Sequence, residues 1–202
     1  MNGQTSTSGQ ASIAAEASND RQLQNTASDT RSAGSSAGSS SGSARHLPSG
    51  DRYQGGWLDG KPNGKGTYWW SDGSHYDGNW TNGQKNGNGT YTWPSGAVYT
   101  GDWVGGVMQG VGTYTSKDGA TYRGSWYKDE KHGLGRKSYA NGDKYEGIWK
   151  NGKPDGPGMY RWSDGSEYNG EWVQGQMHGK GTFVWPNKER YDGEWVQGRE
   201  QR

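Results

Sequence analysis

The sequence of 202 residues contains no cysteine, only one phenylalanine and four methionines. The missing cysteines exclude a disulfide framework, a thiol nucleophile and a cysteine-based zinc site. Hydrophobic residues make up 27% of the chain, well below the roughly 45–50% that is typical of globular domains. The chain therefore cannot build a thick aliphatic core, and its apolar burial has to come from tryptophan and tyrosine.

A strong charge of either sign is also missing. Lysine and arginine number 22 against 21 aspartates and glutamates, which gives a net charge of +1. General nucleic-acid binding usually needs a strongly basic surface, so that function is not expected. The sequence has no run approaching the roughly 18–20 apolar residues that span a bilayer, and no apolar core of a secretory signal. We therefore expect a cytoplasmic protein without a transmembrane segment.

The first 50 residues differ in amino-acid composition from the remainder of the chain. They are dominated by Ser, Gly, Ala, Gln, Asn and Thr, and the stretch 32–44 is almost purely Ser, Gly and Ala. Such a segment cannot offset its ordering entropy through burial, so residues 1–50 are predicted to form a disordered leader. A plain flexible leader is favoured over a tail that phosphorylation of its serines would tune.

Glycine and large aromatic residues are abundant, with 38 Gly, 12 Trp and 13 Tyr. The aromatic residues recur in a Tyr-x-Gly-x-Trp motif, which appears seven times at a constant interval of 23 residues, with its tyrosines at Tyr53, Tyr76, Tyr99, Tyr122, Tyr145, Tyr168 and Tyr191. A Gly-x-Gly motif follows at the same period, first at Gly64 and Gly66, and then a turn, first at Asp72-Gly73. This constant period indicates a repeat architecture.

The turn chemistry predicts β-hairpins, because Asp-Gly and Asn-Gly between aromatic strands are strong hairpin signals. A two-residue turn at Asp72-Gly73 would divide the neighbouring aromatic side chains between the two faces of the sheet. A three-residue loop over residues 71–73 would pair Tyr68 with Tyr76 and place both on the face of Trp70. We favour the three-residue loop, because the few apolar residues must be pooled and because it puts Gly73 where a positive φ is required.

These observations predict an all-β fold. Residues 51–202 are expected to form an elongated, single, twisted antiparallel sheet of stacked 23-residue hairpins, in seven units of which the last is incomplete. One face would be an aromatic groove lined by Tyr76, Trp80, Tyr99, Trp103, Tyr122, Trp126, Tyr145, Trp149, Tyr168 and Trp172. A structural role for these side chains is favoured over ligand contact, because no other residues can form the core.

The pattern Tyr-x-Gly-x-Trp-x-x-Gly-x-x-x-Gly-x-Gly, complete over residues 76–89, resembles the MORN repeat (membrane occupation and recognition nexus) and covers about residues 51–198. The stretches 93–97, 121–126 and 137–143 are most similar to the N-terminal MORN region of plant phosphatidylinositol-4-phosphate 5-kinases. That resemblance implies a targeting and regulatory module ahead of a lipid kinase domain. The chain departs from the pattern at Asp129 and Lys188, which stand where other units have glycine, and it ends within a unit. We therefore expect it to be part of a longer protein.

Charge is unevenly distributed along the repeats. Residues 128–153 carry seven basic and four acidic residues, a net charge of +3, whereas residues 71–120 have a net charge of −2. A cluster of this size could hold the headgroup of phosphatidic acid or a phosphoinositide. The candidate lipid-binding residues are Lys128, Lys131, His132, Arg136, Lys137, Lys144, Lys150 and Lys153. The alternative is an ordinary solvated face, because acidic residues are interleaved.

No catalytic motif is found in this chain. There is no P-loop, no kinase His-Arg-Asp or Asp-Phe-Gly triplet, and no clustered histidines for a metal, so no metal or cofactor is expected. The predicted function is a non-catalytic module at the plasma membrane that binds acidic phospholipids and positions or regulates a phosphatidylinositol-4-phosphate 5-kinase. The alternative is a protein–protein scaffold whose aromatic groove holds a partner helix or peptide. Enzyme activity would require a catalytic domain after residue 202, and a homodimer is left open.

Overall fold

The computed structural model describes residues 44–201, and within them it contains β-strands and turns but no helix. Fifteen strands lie side by side in one antiparallel sheet, and each strand pairs with its neighbours in the sequence. They are β1 Arg45–His46, β2 Arg52–Leu58, β3 Lys61–Trp69, β4 His75–Thr81, β5 Gln84–Thr92, β6 Val98–Val104, β7 Val107–Thr115, β8 Thr121–Tyr127, β9 Glu130–Ser138, β10 Lys144–Lys150, β11 Lys153–Arg161, β12 Glu167–Val173, β13 Gln176–Val184, β14 Arg190–Val196 and β15 Arg199–Gln201. The predicted all-β fold of repeated antiparallel hairpins is confirmed.

The favoured hairpin register is also confirmed. Tyr68 pairs with Tyr76 across β3 and β4, and the amide of Trp70 donates to the carbonyl of Ser74 at 3.0 Å. The Gly73 amide donates to the Trp70 carbonyl, and Gly73 has a φ of 92°. This combination is a type I turn followed by a left-handed glycine, a common three-residue hairpin loop.

A second kind of turn closes the hairpin within each repeat. After β2 it consists of Asp59 and Gly60, whose φ angles are 49° and 74°, and Leu58 pairs with Lys61 across it. Positive φ at both central residues defines a type I′ turn, which suits the twist of a two-residue hairpin. The chain thus reverses twice in every 23 residues, whereas the sequence reading treated this segment only as a glycine-rich connection.

These type I′ turns stack along one edge of the sheet through backbone hydrogen bonds. The Gly83 amide donates to the Pro62 carbonyl of the preceding hairpin at 2.9 Å, and the Gly106 amide donates to the Lys85 carbonyl at 2.9 Å. The same bond recurs at every later turn of the array. Neighbouring repeats are therefore joined at the turns as well as along the strands, which favours one continuous sheet.

Residues 44–50 belong to the segment predicted as a disordered leader. Within them, Arg45 and His46 form the short strand β1, and Arg45 pairs with Tyr53 of β2. The rest of the predicted leader, residues 1–43, lies outside the described residues.

Candidate binding faces

The alternation of side chains along the strands places the Tyr and Trp of every Tyr-x-Gly-x-Trp motif on one side of the sheet, which we call the aromatic face; the opposite side is the back face. Each of the first six motif tyrosines packs edge-on between two tryptophans, and Tyr191 packs against Trp195. The ring centre of Tyr76 lies 5.1 Å from that of Trp80 in its own repeat and 5.4 Å from that of Trp103 in the next. The pattern continues through Tyr99, whose ring centre lies 5.2 Å from that of Trp126. The result is a continuous Tyr–Trp ladder.

Glycine is required at the motif positions because the tyrosine rings lie directly on the backbone there. A Cβ built on Gly89 would fall on the hydroxyl and ring of Tyr76, and one on Gly78 would lie 2.5 Å from the same hydroxyl. Gly78 and Gly89 are cross-strand partners. The Tyr76 hydroxyl donates to the Asn79 carbonyl at 3.1 Å, so the ring is fixed in this position.

The motif tryptophans connect neighbouring hairpins. The Nε1 group of Trp80 donates to the Gly66 carbonyl at 2.9 Å, and that of Trp103 donates to the Gly89 carbonyl at 3.2 Å. Equivalent bonds link Trp126, Trp149, Trp172 and Trp195 to the Gly-x-Gly glycines of the preceding hairpins. Each buried indole donor is therefore satisfied, as buried polar groups generally must be.

The ten side chains predicted to line the groove are all buried in this ladder. The tyrosines are at most 1% exposed and the tryptophans at most 6% exposed: Tyr76, Trp80, Tyr99, Trp103, Tyr122, Trp126, Tyr145, Trp149, Tyr168 and Trp172. Burial also raises the pKa of the ladder tyrosines, to about 12 for Tyr168. The burial of these ten side chains agrees with a structural role for them. Contact with a ligand therefore has to involve other aromatic side chains.

A second set of aromatic side chains on the same face remains half-exposed beside the three-residue loops. We call it the loop-side aromatic row: Trp70, Trp93, Tyr139, Trp162 and Trp185. Each ring rests on an aromatic residue of the next hairpin or of its own. The ring of Trp93 lies 4.7 Å from that of Tyr91 and 5.6 Å from that of Tyr114. The sequence reading did not single out these residues, although their aromatic type and period were visible.

The row is interrupted in the middle of the array. Ser116 occupies the position that Trp93 holds one repeat earlier, and Lys137 occupies the adjacent position that is aromatic in the other repeats. Lys137 pairs with Tyr122 and Tyr145 on its two sides, is 9% exposed, and places its ammonium 4.2 Å from the ring centre of Tyr139. The row is therefore divided into two aromatic stretches.

The eight predicted lipid-binding residues do not form one patch, because alternation along the strands divides them between the two faces. Lys131 pairs with Trp126 on the aromatic face, where Lys137 also lies. Lys128 occupies a type I′ turn with a φ of 48°, and the half-buried His132 lies against Tyr127, their ring centres 5.7 Å apart. The other four are exposed on the back face: Arg136, Lys144, Lys150 and Lys153.

Lys85 is an unusual cation that the sequence reading missed. Its Nζ lies 4.0 Å from the ring centre of Trp103 and 4.4 Å from that of Tyr91. Burial among these rings lowers the pKa of Lys85 to about 8, and the carboxylate of Asp129 acts in the opposite direction. The equivalent position in the next repeat is Met108, which pairs with Trp103. The same position is Pro or Met in four other repeats, Glu in the last and a second lysine, Lys131, in β9, so the sequence did not distinguish Lys85.

Residues 44–201 contain no group of three His, Asp or Glu side chains that could hold a metal ion. The same part of the chain holds no helix long and apolar enough to cross a membrane.

Comparison with protein families gives matches along the whole sheet. The family model described as the MORN repeat matches residues 53–75, 76–98, 99–121, 122–144, 145–167, 168–190 and 191–201. The boundaries coincide with the interval of the Tyr-x-Gly-x-Trp motif, since each match begins at a motif tyrosine. No curated protein matches the chain.

Two solved structures with some likeness to this chain are domains of animal proteins. The TCP domain of SAS-4 (dCPAP) of Drosophila melanogaster, in complex with a proline-rich motif of Ana2 (dSTIL), has a TM-score of 0.46 and 14% identity, covering 84% of this chain and 97% of that chain. The wild-type TCP10 domain of Danio rerio CPAP, in complex with a peptide of Danio rerio STIL, has a TM-score of 0.37 and 12% identity, covering 75% of this chain and 78% of that chain.

Proposed function

The chain belongs to the MORN-repeat family, and we propose that it is a non-catalytic module whose aromatic face binds an extended or helical segment of a partner protein. The observation that carries this proposal is the loop-side aromatic row. Its rings remain half-exposed, whereas the neighbouring Tyr–Trp ladder is buried. Trp and Tyr are the residue types most enriched at the centres of protein–protein interfaces.

The row is also pre-organised. Trp162 is held by Tyr160 at 4.5 Å and by Phe183 at 5.2 Å between ring centres, so its side chain loses little freedom when a partner covers it. Side chains that are already ordered lower the entropic cost of association. The break at Ser116 and Lys137 divides the row, which favours a partner segment with two apolar anchors rather than one continuous apolar strip.

The test compares two tryptophans on opposite faces of the sheet. Trp93→Ser introduces the residue that Ser116 supplies naturally one repeat later, so the sheet should tolerate it. The matched control is Trp69→Ser, because Trp69 is half-exposed on the back face with the Arg52 guanidinium 4.6 Å from its ring centre. A protein captured by the wild-type chain is identified, and its minimal binding segment is titrated into each purified variant by calorimetry.

We expect Trp93→Ser to weaken binding of that segment at least about tenfold, equivalent to about 1.4 kcal/mol, and Trp69→Ser to leave it unchanged. A partner segment that is lost with Trp69→Ser and retained with Trp93→Ser would place the interface on the back face and contradict the proposal.

A second candidate function is binding to acidic phospholipids. It is favoured by the four cations exposed on the back face, Arg136, Lys144, Lys150 and Lys153, each of which would contribute roughly 1 kcal/mol near an anionic surface. With the resemblance to plant phosphatidylinositol-4-phosphate 5-kinases, this leads to the proposal of a cytoplasmic module that positions a lipid kinase at the plasma membrane.

The lipid proposal is tested by co-sedimentation with phosphatidylcholine vesicles that contain or lack phosphatidic acid. The charge-reversed variant carries Arg136→Glu, Lys144→Glu and Lys150→Glu, and a control carries Lys65→Glu and Lys180→Glu at other repeats. Loss of acidic-vesicle binding in the first variant alone would support the proposal. Absence of wild-type binding at a physiological ionic strength of about 0.15 M would refute it.

A further inference from the structure

The back face carries a local apolar patch that extends from β6 to β10. The residue between the two glycines of Gly-x-Gly points to this face, and it is Val111 in β7 and Leu134 in β9. Val111 is 61% exposed and Leu134 is 70% exposed, whereas the corresponding residues at the ends of the array are Lys65 and Lys180. Leu58, Val173 and Val196 are also exposed on this face, but Val111 and Leu134 are its most exposed large apolar residues, which requires a reason.

The small polar Ser125 of β8 lies between the two most exposed residues of the patch, Val111 of β7 and Leu134 of β9. Leu134 pairs with Ile148 of β10, and Val111 pairs with Ser125 of β8. On the turn side of the same face, Val104 is 50% exposed and Tyr127 is 49% exposed. The patch therefore spans neighbouring strands that lie about 4.8 Å apart.

Cations border the patch on both sides, with two carboxylates among them: Asp102 accepts a hydrogen bond from the Val111 amide, and Glu130 pairs with Tyr127. In the adjacent row, Arg123 pairs with Arg136, and Arg136 bonds to Glu146 at 2.7 Å. Toward the turns, Lys150 pairs with Lys153. An isologous contact with a second copy of the chain would bring these cations together, so the charge favours an anionic occupant.

We propose that this surface, which we call the back-face patch (Val104, Val111, Tyr127, Leu134 and Ile148 with Arg123, Arg136, Lys144, Lys150 and Lys153), lies against an acidic lipid bilayer and inserts its apolar side chains. The inference rests on the second candidate function and deepens it. Charge alone holds a protein above the headgroups, whereas exposed Leu, Val and Tyr side chains beside cations match the boundary between headgroups and acyl chains.

Insertion of apolar side chains and simple charge attraction differ in how vesicle binding depends on salt. Ionic attraction to the bilayer is screened as ionic strength rises, whereas burial of apolar side chains is not. The double variant Val111→Ser and Leu134→Ser removes the most exposed apolar residues. The matched control, Val173→Ser and Val196→Ser, alters valines that are 45% and 44% exposed on the same face outside the patch.

A site-specific probe reports insertion directly. The chain has no cysteine, so Leu134→Cys and Val173→Cys each accept a single environment-sensitive fluorophore. The labelled proteins are mixed with phosphatidylcholine vesicles that contain or lack phosphatidylserine, and the emission is compared with co-sedimentation of the unlabelled protein. Each measurement is repeated at low and at raised salt.

The expected result is a blue-shifted, brighter emission at position 134 with acidic vesicles and none at position 173. The Val111/Leu134 double variant should partition about tenfold less than the control, and its remaining binding should disappear at raised salt.

If the protein co-sediments while the label at position 134 stays in water, charge attraction stands and insertion is refuted. If the wild-type chain does not co-sediment, both the second candidate function and this inference fail. Substitutions that leave vesicle binding intact but abolish binding of a protein segment would overturn the proposal in favour of a protein docking site.

Discussion

Replacing Gly89 by alanine places a methyl group where the ring of Tyr76 already lies. The added Cβ would meet the hydroxyl, Cζ and Cε2 atoms of Tyr76. Gly89 itself lies in an extended strand and not in the left-handed region, so its backbone conformation suits alanine. The whole cost of Gly89→Ala should therefore come from displacing a ring that is 0% exposed.

The size of that cost follows from what holds the ring. Displacement weakens two edge-on contacts, with Trp80 at 5.1 Å and with Trp103 at 5.4 Å, each contributing about 0.5–1.5 kcal/mol. It also breaks the hydrogen bond from the Tyr76 hydroxyl to the Asn79 carbonyl, which contributes about 1 kcal/mol. We expect Gly89→Ala to lower the free energy of unfolding by about 3 kcal/mol, in the range of a severe overpacking.

The assay is urea unfolding followed by tryptophan fluorescence in a double-mutant cycle with Tyr76→Ala. Once the ring is removed, Gly89→Ala should cost less than about 1 kcal/mol, so most of its effect appears as coupling between the two positions. Gly96→Ala serves as a contrast, because no atom lies within 4 Å of the added Cβ and only its φ of 91° opposes alanine. Additive effects of Gly89→Ala and Tyr76→Ala would refute the close-approach explanation.

Three further predictions concern backbone strain and pH. Lys188→Gly should stabilise the chain by about 0.5–1 kcal/mol in thermal unfolding, because Lys188 has a φ of 71° where other repeats use glycine; Lys180→Gly, in an extended strand, should instead destabilise it. Burial lowers the pKa of Lys85 from 10.5 to about 8, so the unfolded chain binds more protons between these values and stability should rise as pH increases through this window. Lys85→Met should flatten that rise and stabilise the chain at neutral pH, and an unchanged pH profile would contradict the burial of the ammonium. Burial raises the pKa of Tyr53 to about 12, so the contribution of the buried tyrosines is complete below pH 10 and should be lost as pH rises above it; a urea midpoint constant through pH 11 would contradict this.

The hairpin register was predictable because only one pairing places the scarce apolar residues together. Tyr68 opposite Tyr76 follows from the need to pool aromatic side chains, and a left-handed Gly73 follows from the loop length. The type I′ turns were not recognised, although Asn82-Gly83 is a strong signal for them. Their first residues vary among Asp, Asn, Gly, Lys and Gln, so the signal is strong in some repeats and weak in others.

The distribution of charge was less predictable, because a net charge counted along the sequence ignores the alternation of side chains in strands. Lys137 and Arg136 are neighbours in the sequence and lie on opposite faces. Their different surroundings follow from pairing: Lys137 lies beside Tyr122, whereas Arg136 lies beside Arg123. Separating alternate positions within each strand, once the register is fixed, would have identified the back-face cations.

The aromatic groove shows that a regular motif does not indicate which of its side chains are exposed. Tyr-x-Gly-x-Trp is the most regular element of the sequence, and its aromatic side chains are buried in the Tyr–Trp ladder. The half-exposed rings belong to the less regular position of Trp70 and Trp93, where Ser116 also occurs. Exposure depends on the neighbouring hairpins, which no single repeat specifies.

The most direct test of partner binding on the aromatic face is site-specific photo-crosslinking in cells. A photoreactive amino acid is placed in turn at Trp93, at Trp162 and, as the back-face control, at Trp69, and the crosslinked proteins are identified. Crosslinks from positions 93 and 162 to neighbouring segments of one protein, with none from position 69, are the predicted result. Crosslinks to that protein from position 69 alone would contradict the assignment of the aromatic face as the binding surface.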